Sequence, residues 1–322
     1  MSQSDFEAAH SKFKIFLKVF YGLSYLNFAP GSERSVLLSC LKMAILPSVY
    51  LFHEVLSVKQ IISLIERSFD PIELMYLIIL CSCFFQSLSK FLICAVFYKD
   101  EFDVLVHYFD KLTITKNILT TVRKNILFKY LKFVYTVAKL YLFRVEIGIL
   151  AYAVFALTWT NFTLTMFFRY PFAESGSLLD IPLNIIFQII ALHYTVGYMV
   201  LIDVLLLFIV FYFRGELDSI ASHISNLNSD EKLSDQQYER IISEIHKFHL
   251  KTVRKLRIFQ QFTWYIHLVQ FSTNMIYLSI VIYMIRFADT SFAFALFHQE
   301  LLHKCSCIAF SDRLLRMVMK VF

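Results

Sequence analysis

The 322-residue chain carries a net charge of +6, with 58% apolar residues, 17% aromatic residues and only 17% charged ones. Its mean hydropathy of +0.60 reflects more apolar surface than a water-soluble core needs, which excludes a soluble protein. Six glycines and five prolines leave little material for tight turns, and the apolar runs are too long and too unalternating for barrel strands, so an all-α polytopic membrane protein is predicted.

The first residues, MSQSDFEAAHSKFKIF, place polar and charged side chains before a short amphipathic patch. They lack the charged tip, apolar core and small-residue cleavage site of a signal peptide, so the first true span is expected to do the targeting. A crossing of about 30 Å of hydrocarbon takes roughly 20 helical residues at about 1.5 Å each. The first candidate span, near 36–56, has Lys42 toward one end, Pro47 as an expected kink, and His53 and Glu54 at the other end. The second, near 72–97, is interrupted late by Lys90. A third apolar region carries Lys139, Arg144 and Glu146 in its first half, which is expected to leave the membrane, so the span is placed at 141–159. The fourth, 181–213, and the fifth, 259–285, exceed a single crossing and are expected to project into water on one side. The sixth, 291–310, is the weakest, since it contains His298, Gln299, Glu300, His303 and Lys304.

Between the fourth and fifth spans, residues 214–257 form the largest polar block. Leu217, Ile220, Ile224 and Leu227 recur at helical spacing, and the pattern resumes after Asn228-Ser229-Asp230 with Tyr238, Ile241, Ile245 and Phe248. A hairpin of two amphipathic helices is expected, forming with the overlong span ends a cytoplasmic layer that would anchor subunit assembly; a solvated hairpin of no special role fits the same pattern. Residues 1–322 are thus read as a single transmembrane domain.

Basic residues set the orientation. The N-terminal segment, the second linker from Lys99 to Lys132 and the fourth from Arg214 to Arg257 hold 19 Lys and Arg, whereas the first, third and fifth linkers hold four, Lys59, Arg67, Arg169 and Arg286. Positive charge stays on the cytoplasmic side, so the N-terminus is expected inside. The sequon Asn161-Phe162-Thr163 then falls on the outer side, as an expected glycosylation site at Asn161. This asymmetry accounts for the net positive charge without nucleic acid.

Catalytic and metal signals are thin. His246 and His249, three residues apart in a charged helix, read as solvated surface, and His298, His303, Cys305 and Cys307 lack a second ligand cluster, so no metal is expected. No P-loop, nucleophile elbow or Gly-rich dinucleotide turn is present, and neither an enzyme nor a cofactor is expected. Cys40, Cys81, Cys83 and Cys94 lie in apolar runs and read as unpaired packing residues. Lys90, Arg144, Glu146 and Asp203 fall toward the predicted cytoplasmic ends of their spans, where snorkelling or burial in the cytoplasmic layer accommodates them. The outer halves instead carry Tyr76, Tyr152, Phe155, Trp159, Phe187, His193 and Tyr194. Such rings suit a pocket for a small hydrophobic molecule, and equally an interfacial belt or a lipid-facing surface.

Tyr170-Pro171-Phe172, the following apolar helix with Gln188 and Asp203, and Phe213-Arg214-Gly215-Glu216-Leu217 entering an amphipathic helix resemble the insect odorant receptor family. So do the second span with its late Lys90, followed by Phe102 and Phe109, and the 251–283 stretch with Phe262, Leu268, Gln270, Phe271 and Ser272. The resemblance implies a tuning subunit that binds a small volatile hydrophobic odorant and gates a non-selective cation channel as a heterotetramer with an odorant receptor coreceptor. It implies the plasma membrane of an olfactory neuron dendrite and a pocket in the outer half of the membrane, for which helix face and depth select Tyr76, Tyr152, Phe155, Phe187, Ile190 and Tyr194. The family has a further, pore-lining C-terminal helix, whereas the tail after Ser311 is too short and too charged to cross again; a truncated, non-conducting form is therefore expected. A gustatory receptor shares the implied topology, and a transporter or non-signalling membrane scaffold is the alternative of a different class.

Overall fold

Seven α-helices account for nearly all of the residues that the computed structural model describes, which are 3–24, 36–67, 71–110, 120–161, 163–164, 166, 168–171, 177–228 and 234–287. None of these is in a strand. The helices are α1 (Gln3–Ser24), α2 (Val36–Arg67), α3 (Pro71–Leu92), α4 (Lys99–Asp110), α5 (Thr120–Trp159), α6 (Asp180–Asn228) and α7 (Asp235–Phe287).

Four stretches are long and apolar enough to cross a membrane: Pro47–Glu66, Pro71–Phe97, Val122–Trp159 and Asp180–Leu227. The residues expected to leave the membrane ahead of 141 lie inside α5, unbroken from Thr120. At about 1.5 Å per residue, its 40 residues run for roughly 60 Å, twice the hydrocarbon thickness. The expected 259–285 span is helical within α7 but is not among the four apolar stretches, because Gln270, Ser272, Thr273, Asn274 and Ser279 dilute its hydrophobic residues. The expected 291–310 span and the tail after it, with His298, His303, Cys305 and Cys307, lie outside the described residues. Cys81, Cys83 and Cys94 are thiols, with no disulfide among the described residues.

Local chemistry explains several boundaries. Ser234 precedes α7 and caps it reciprocally: its Oγ accepts the Gln237 N–H at 3.4 Å while Gln237 Oε1 accepts the Ser234 N–H at 3.3 Å. Asp180 places a carboxylate in the first turn of α6, where the exposed N–H groups and the helix dipole favour negative charge. After α3, a π-helical turn spans Ile93–Phe97. The Tyr98 N–H reaches back to the Ile93 carbonyl at 2.9 Å, and α4 begins with the Phe102 N–H on Tyr98.

The chain divides into two compact units. The first comprises Met1–Gly31, Ile93–Leu142 and Leu201–Trp264. Its core is aromatic. Phe13 of α1 meets Phe208 and Tyr212 of α6 at ring separations of 5.4 Å each, and Phe109 of α4 meets Tyr212 at 4.7 Å and Phe213 at 5.2 Å. Phe102 of α4 and Phe262 of α7 cross edge-on. Polar clamps join α5 to α6. Arg123 donates from Nε and Nη2 to the two Glu216 oxygens at 2.7 and 2.5 Å, and the Tyr130 hydroxyl donates to Asp218, which also accepts from Arg214. Between them Gly215 lets the helices approach: a methyl group there would come within 2.7 Å of Leu127 Cδ2.

The second unit comprises Ser32–Leu92, Phe143–Val200 and Tyr265–Phe322. Met75 of α3 and Ile280 of α7 share a buried cluster, with Ile78 and Ile79 packed against it. The Ser87 hydroxyl of α3 donates to the Thr195 carbonyl of α6 at 2.9 Å, and Lys90 is fully buried near the end of the same helix. In both units α6 supplies much of the core, as expected for a helix that is apolar on all faces.

Candidate ligand site

Within the second unit, α3, α5 and α7 bring together a set of aromatic side chains. Tyr76 is one of the most buried rings in the chain and stacks on Phe155 with centroids 4.6 Å apart and planes 13° from parallel. Tyr152, one helical turn before Phe155 on α5, tilts against the same Tyr76 ring at 5.2 Å. Phe155 in turn stacks on Trp159 at 5.7 Å, so positions 152, 155 and 159 form one continuous face. Each ring pair contributes about 0.5–1.5 kcal/mol beyond its buried area.

On α3, position 83 lies two turns beyond Tyr76 and shares its face. There α7 joins: the Tyr277 hydroxyl bonds the Cys83 thiol and donates to the Ile79 carbonyl at 3.2 Å. Linear reading missed Tyr277 and Cys83. The signal available was the i, i+3/i+4, i+7 face running 76, 79/80, 83, but no sequence feature names the α7 residue that meets it.

The other predicted contact residues sit differently. Phe187 is 44% exposed and Ile190 58% exposed, on a part of α6 that the described chain leaves largely uncovered. Tyr194, one turn further on, is half-buried. Asn161 is exposed just beyond the end of α5, in a left-handed conformation with φ 53°, which asparagine tolerates better than most residues.

A second polar arrangement holds residues 166–171 against the start of α6. Gln188 accepts the Met166 N–H at 3.0 Å and donates to the Phe168 carbonyl. Asn184 accepts the Tyr170 N–H at 2.6 Å and donates to the Asp180 carbonyl and carboxylate, while Arg169 pairs with Asp180 at 2.8 Å. The Tyr170 hydroxyl bonds His53 Nε2, and His53 Nδ1 donates to the Val49 carbonyl at 2.6 Å, so the imidazole serves as a neutral relay. Burial pushes the Tyr170 phenol well above its ordinary pKa, which keeps it protonated for that bond. These are structural clamps with no nucleophile among them. Among the described residues, no group of three His, Cys, Asp or Glu side chains could hold a metal.

This is an apolar cluster of packed aromatic rings with phenol hydroxyls among them, the chemistry that would meet a small hydrophobic molecule. The whole chain is similar in fold to the insect olfactory receptor OR5 from Machilis hrabei in complex with eugenol, with a TM-score of 0.72 at 15% sequence identity, over 97% of this chain and 79% of that one. A second structure of the same receptor gives a TM-score of 0.62 at 15% identity, over 91% of this chain and 78% of that one. No family model matches the chain, and no curated protein does. At 15% identity the correspondence is one of fold: an all-helical membrane-compatible architecture shared along nearly the whole chain.

Proposed function

We propose that this protein is an odorant receptor subunit, which binds small hydrophobic volatiles at the Tyr76–Tyr152–Phe155 column and gates a cation channel together with an odorant receptor coreceptor in the plasma membrane of olfactory neurons. The observation that carries the reading is the fold likeness over 97% of the chain to an olfactory receptor. The aromatic column supports it from this chain's own residues, and a receptor of the same fold in complex with eugenol offers a precedent for a compact aromatic ligand. The charge asymmetry of the linkers supports a cytoplasmic N-terminus and an outer-side Asn161. With that orientation the column lies in the outer half of the membrane, reachable by a lipid-soluble molecule. Phe187, Ile190 and Tyr194 are proposed to border the same site from α6.

The test is electrophysiology of cells expressing the chain with a coreceptor, against a panel of volatiles. Odorant-evoked cation currents are expected from the chain extended by the pore-lining helix that the resemblance implies, and in that form Phe155→Ala should raise the half-maximal ligand concentration at least about tenfold, since removing a stacked ring forfeits roughly 1.4 kcal/mol or more of contact. Substrate uptake without ligand-gated current would identify a transporter instead.

A further inference from the structure

The buried hydroxyls of the second unit are not equally provided for. Tyr277 and Tyr170 each use theirs in hydrogen bonds. The Tyr152 Oη is buried and has no hydrogen-bond partner among the described residues. Ser57 and Thr195 Oγ atoms are in the same condition, but a short hydroxyl on a helix can turn onto a carbonyl of its own preceding turn, and a phenol cannot. Tyr50 Oη is also without a bonded partner, yet it has the Ser87 hydroxyl and Tyr194 beside it. Around Tyr152 the polar neighbours are Tyr76 and the thiols of Cys81 and Cys83, and a thiol is a weak acceptor. A buried phenol donor left unmet is costly, and an incoming acceptor would recover that cost.

We infer that the Tyr152 hydroxyl donates a hydrogen bond to an acceptor oxygen of the ligand, so that the site selects compact aromatic molecules bearing a carbonyl or ether oxygen over hydrocarbons of the same shape. This rests on the reading of the aromatic column as the ligand site. The geometry supplies both halves of the recognition: the stacked Tyr76–Phe155 pair offers flat apolar ring surface, and the Tyr152 donor stands on the same ring cluster, since Tyr152 packs on Tyr76 at 5.2 Å. This adds chemical selection to the shape selection of the rings, because a hydrocarbon leaves the donor unmet while an oxygenated ligand satisfies it.

The chain contains its own reporter. Trp159 stacks on Phe155, and Trp264 is the other of only two tryptophans. In the full chain carrying Trp264→Phe, reconstituted in lipid nanodiscs, Trp159 emission is titrated with acetophenone and with α-methylstyrene, which has the same shape with a methylene in place of the carbonyl oxygen. The ratio of their dissociation constants is then measured again after Tyr152→Phe, which keeps the ring, and after Tyr50→Phe as a comparison; taking the change in the ratio cancels the different lipid partitioning of the two probes. Helix content by circular dichroism checks that each variant folds. The preference for acetophenone should fall roughly 3- to 10-fold with Tyr152→Phe, the net worth of one hydrogen bond, and stay unchanged with Tyr50→Phe. Binding of both probes with a ratio that Tyr152→Phe does not alter would overturn the hydrogen-bond selection while leaving the site itself standing. If neither probe alters Trp159 emission, the ligand site and the selection fall together.

Discussion

Asp103, in the first turns of α4, illustrates how burial sets the behaviour of one side chain. Burial raises its carboxyl from the ordinary 3.8 to about 6, Asp100 adds to the rise, and Lys99 opposes it. One of its oxygens is buried without a partner among the described residues. The folded chain therefore holds the proton more tightly than the unfolded chain, and stability is lost as pH rises from about 4 to about 6, staying level above that. Asp103→Asn removes the cost of ionising a half-buried group. The variant should melt at a higher temperature than the parent at pH 7.5 and at the same temperature near pH 4, as read by scanning fluorimetry in detergent. Lys90 is a cation that the fold buries. Linear reading offers it a path along the helix to the headgroups or burial in a cytoplasmic layer; the fold encloses it completely within the second unit. That difference follows from neighbours contributed by distant parts of the chain, which no local pattern encodes.

Among the elements, the clasp between α5, α6 and α7 in the first unit carries the largest electrostatic stake. Arg123 of α5 grips Glu216 of α6 through two bonds and lies over the Phe248 ring of α7 at 4.7 Å, with Glu216 only 1% exposed. An enclosed carboxylate tolerates this position because a planar guanidinium meets it with matching geometry. Glu216→Ala leaves the cation buried and unpaired, and should cost about 3–5 kcal/mol, seen as a loss of thermal stability and of surface expression. The double variant Arg123→Leu with Glu216→Leu should recover much of that loss, since two packed apolar side chains remove both desolvation penalties. The run Phe213-Arg214-Gly215-Glu216 was legible as a resemblance. Its physical content was not: Phe213 packs on Phe109 and Phe259, Arg214 binds Asp218, Gly215 admits Leu127, and Glu216 receives Arg123. Four consecutive residues meet different partners, all but Asp218 lying over 40 positions away, so the run reads as a motif only once the helices are assembled.

For the whole molecule, the proposed threading through the bilayer is the prediction with the widest reach. An epitope tag at Met1 should be inaccessible to antibody on intact cells and accessible after permeabilisation. Asn161 should carry glycan, so endoglycosidase treatment should increase gel mobility and Asn161→Gln should abolish that change. Asn161 is exposed just past the end of α5, and an acceptor asparagine has to be accessible. A surface-accessible Met1 tag would reverse the orientation and move the Tyr76–Phe155 column to the inner half of the membrane, away from airborne ligands.

Sequence alone determined that this chain is helical and membrane-compatible, because a bilayer demands long apolar runs whose backbone groups are satisfied within the segment, and that demand is written locally. It also placed Tyr76, Tyr152 and Phe155 at a common depth, since rise per residue is fixed. Tertiary structure alone decided which rings touch. Stacking of Tyr76 on Phe155, the meeting of Tyr277 with Cys83, and the exposure of Phe187 and Ile190 depend on how helices far apart in sequence are rotated about their axes. That rotation is set by close packing of whole helical faces and the exclusion of voids, a property of assembled surfaces and of no single segment.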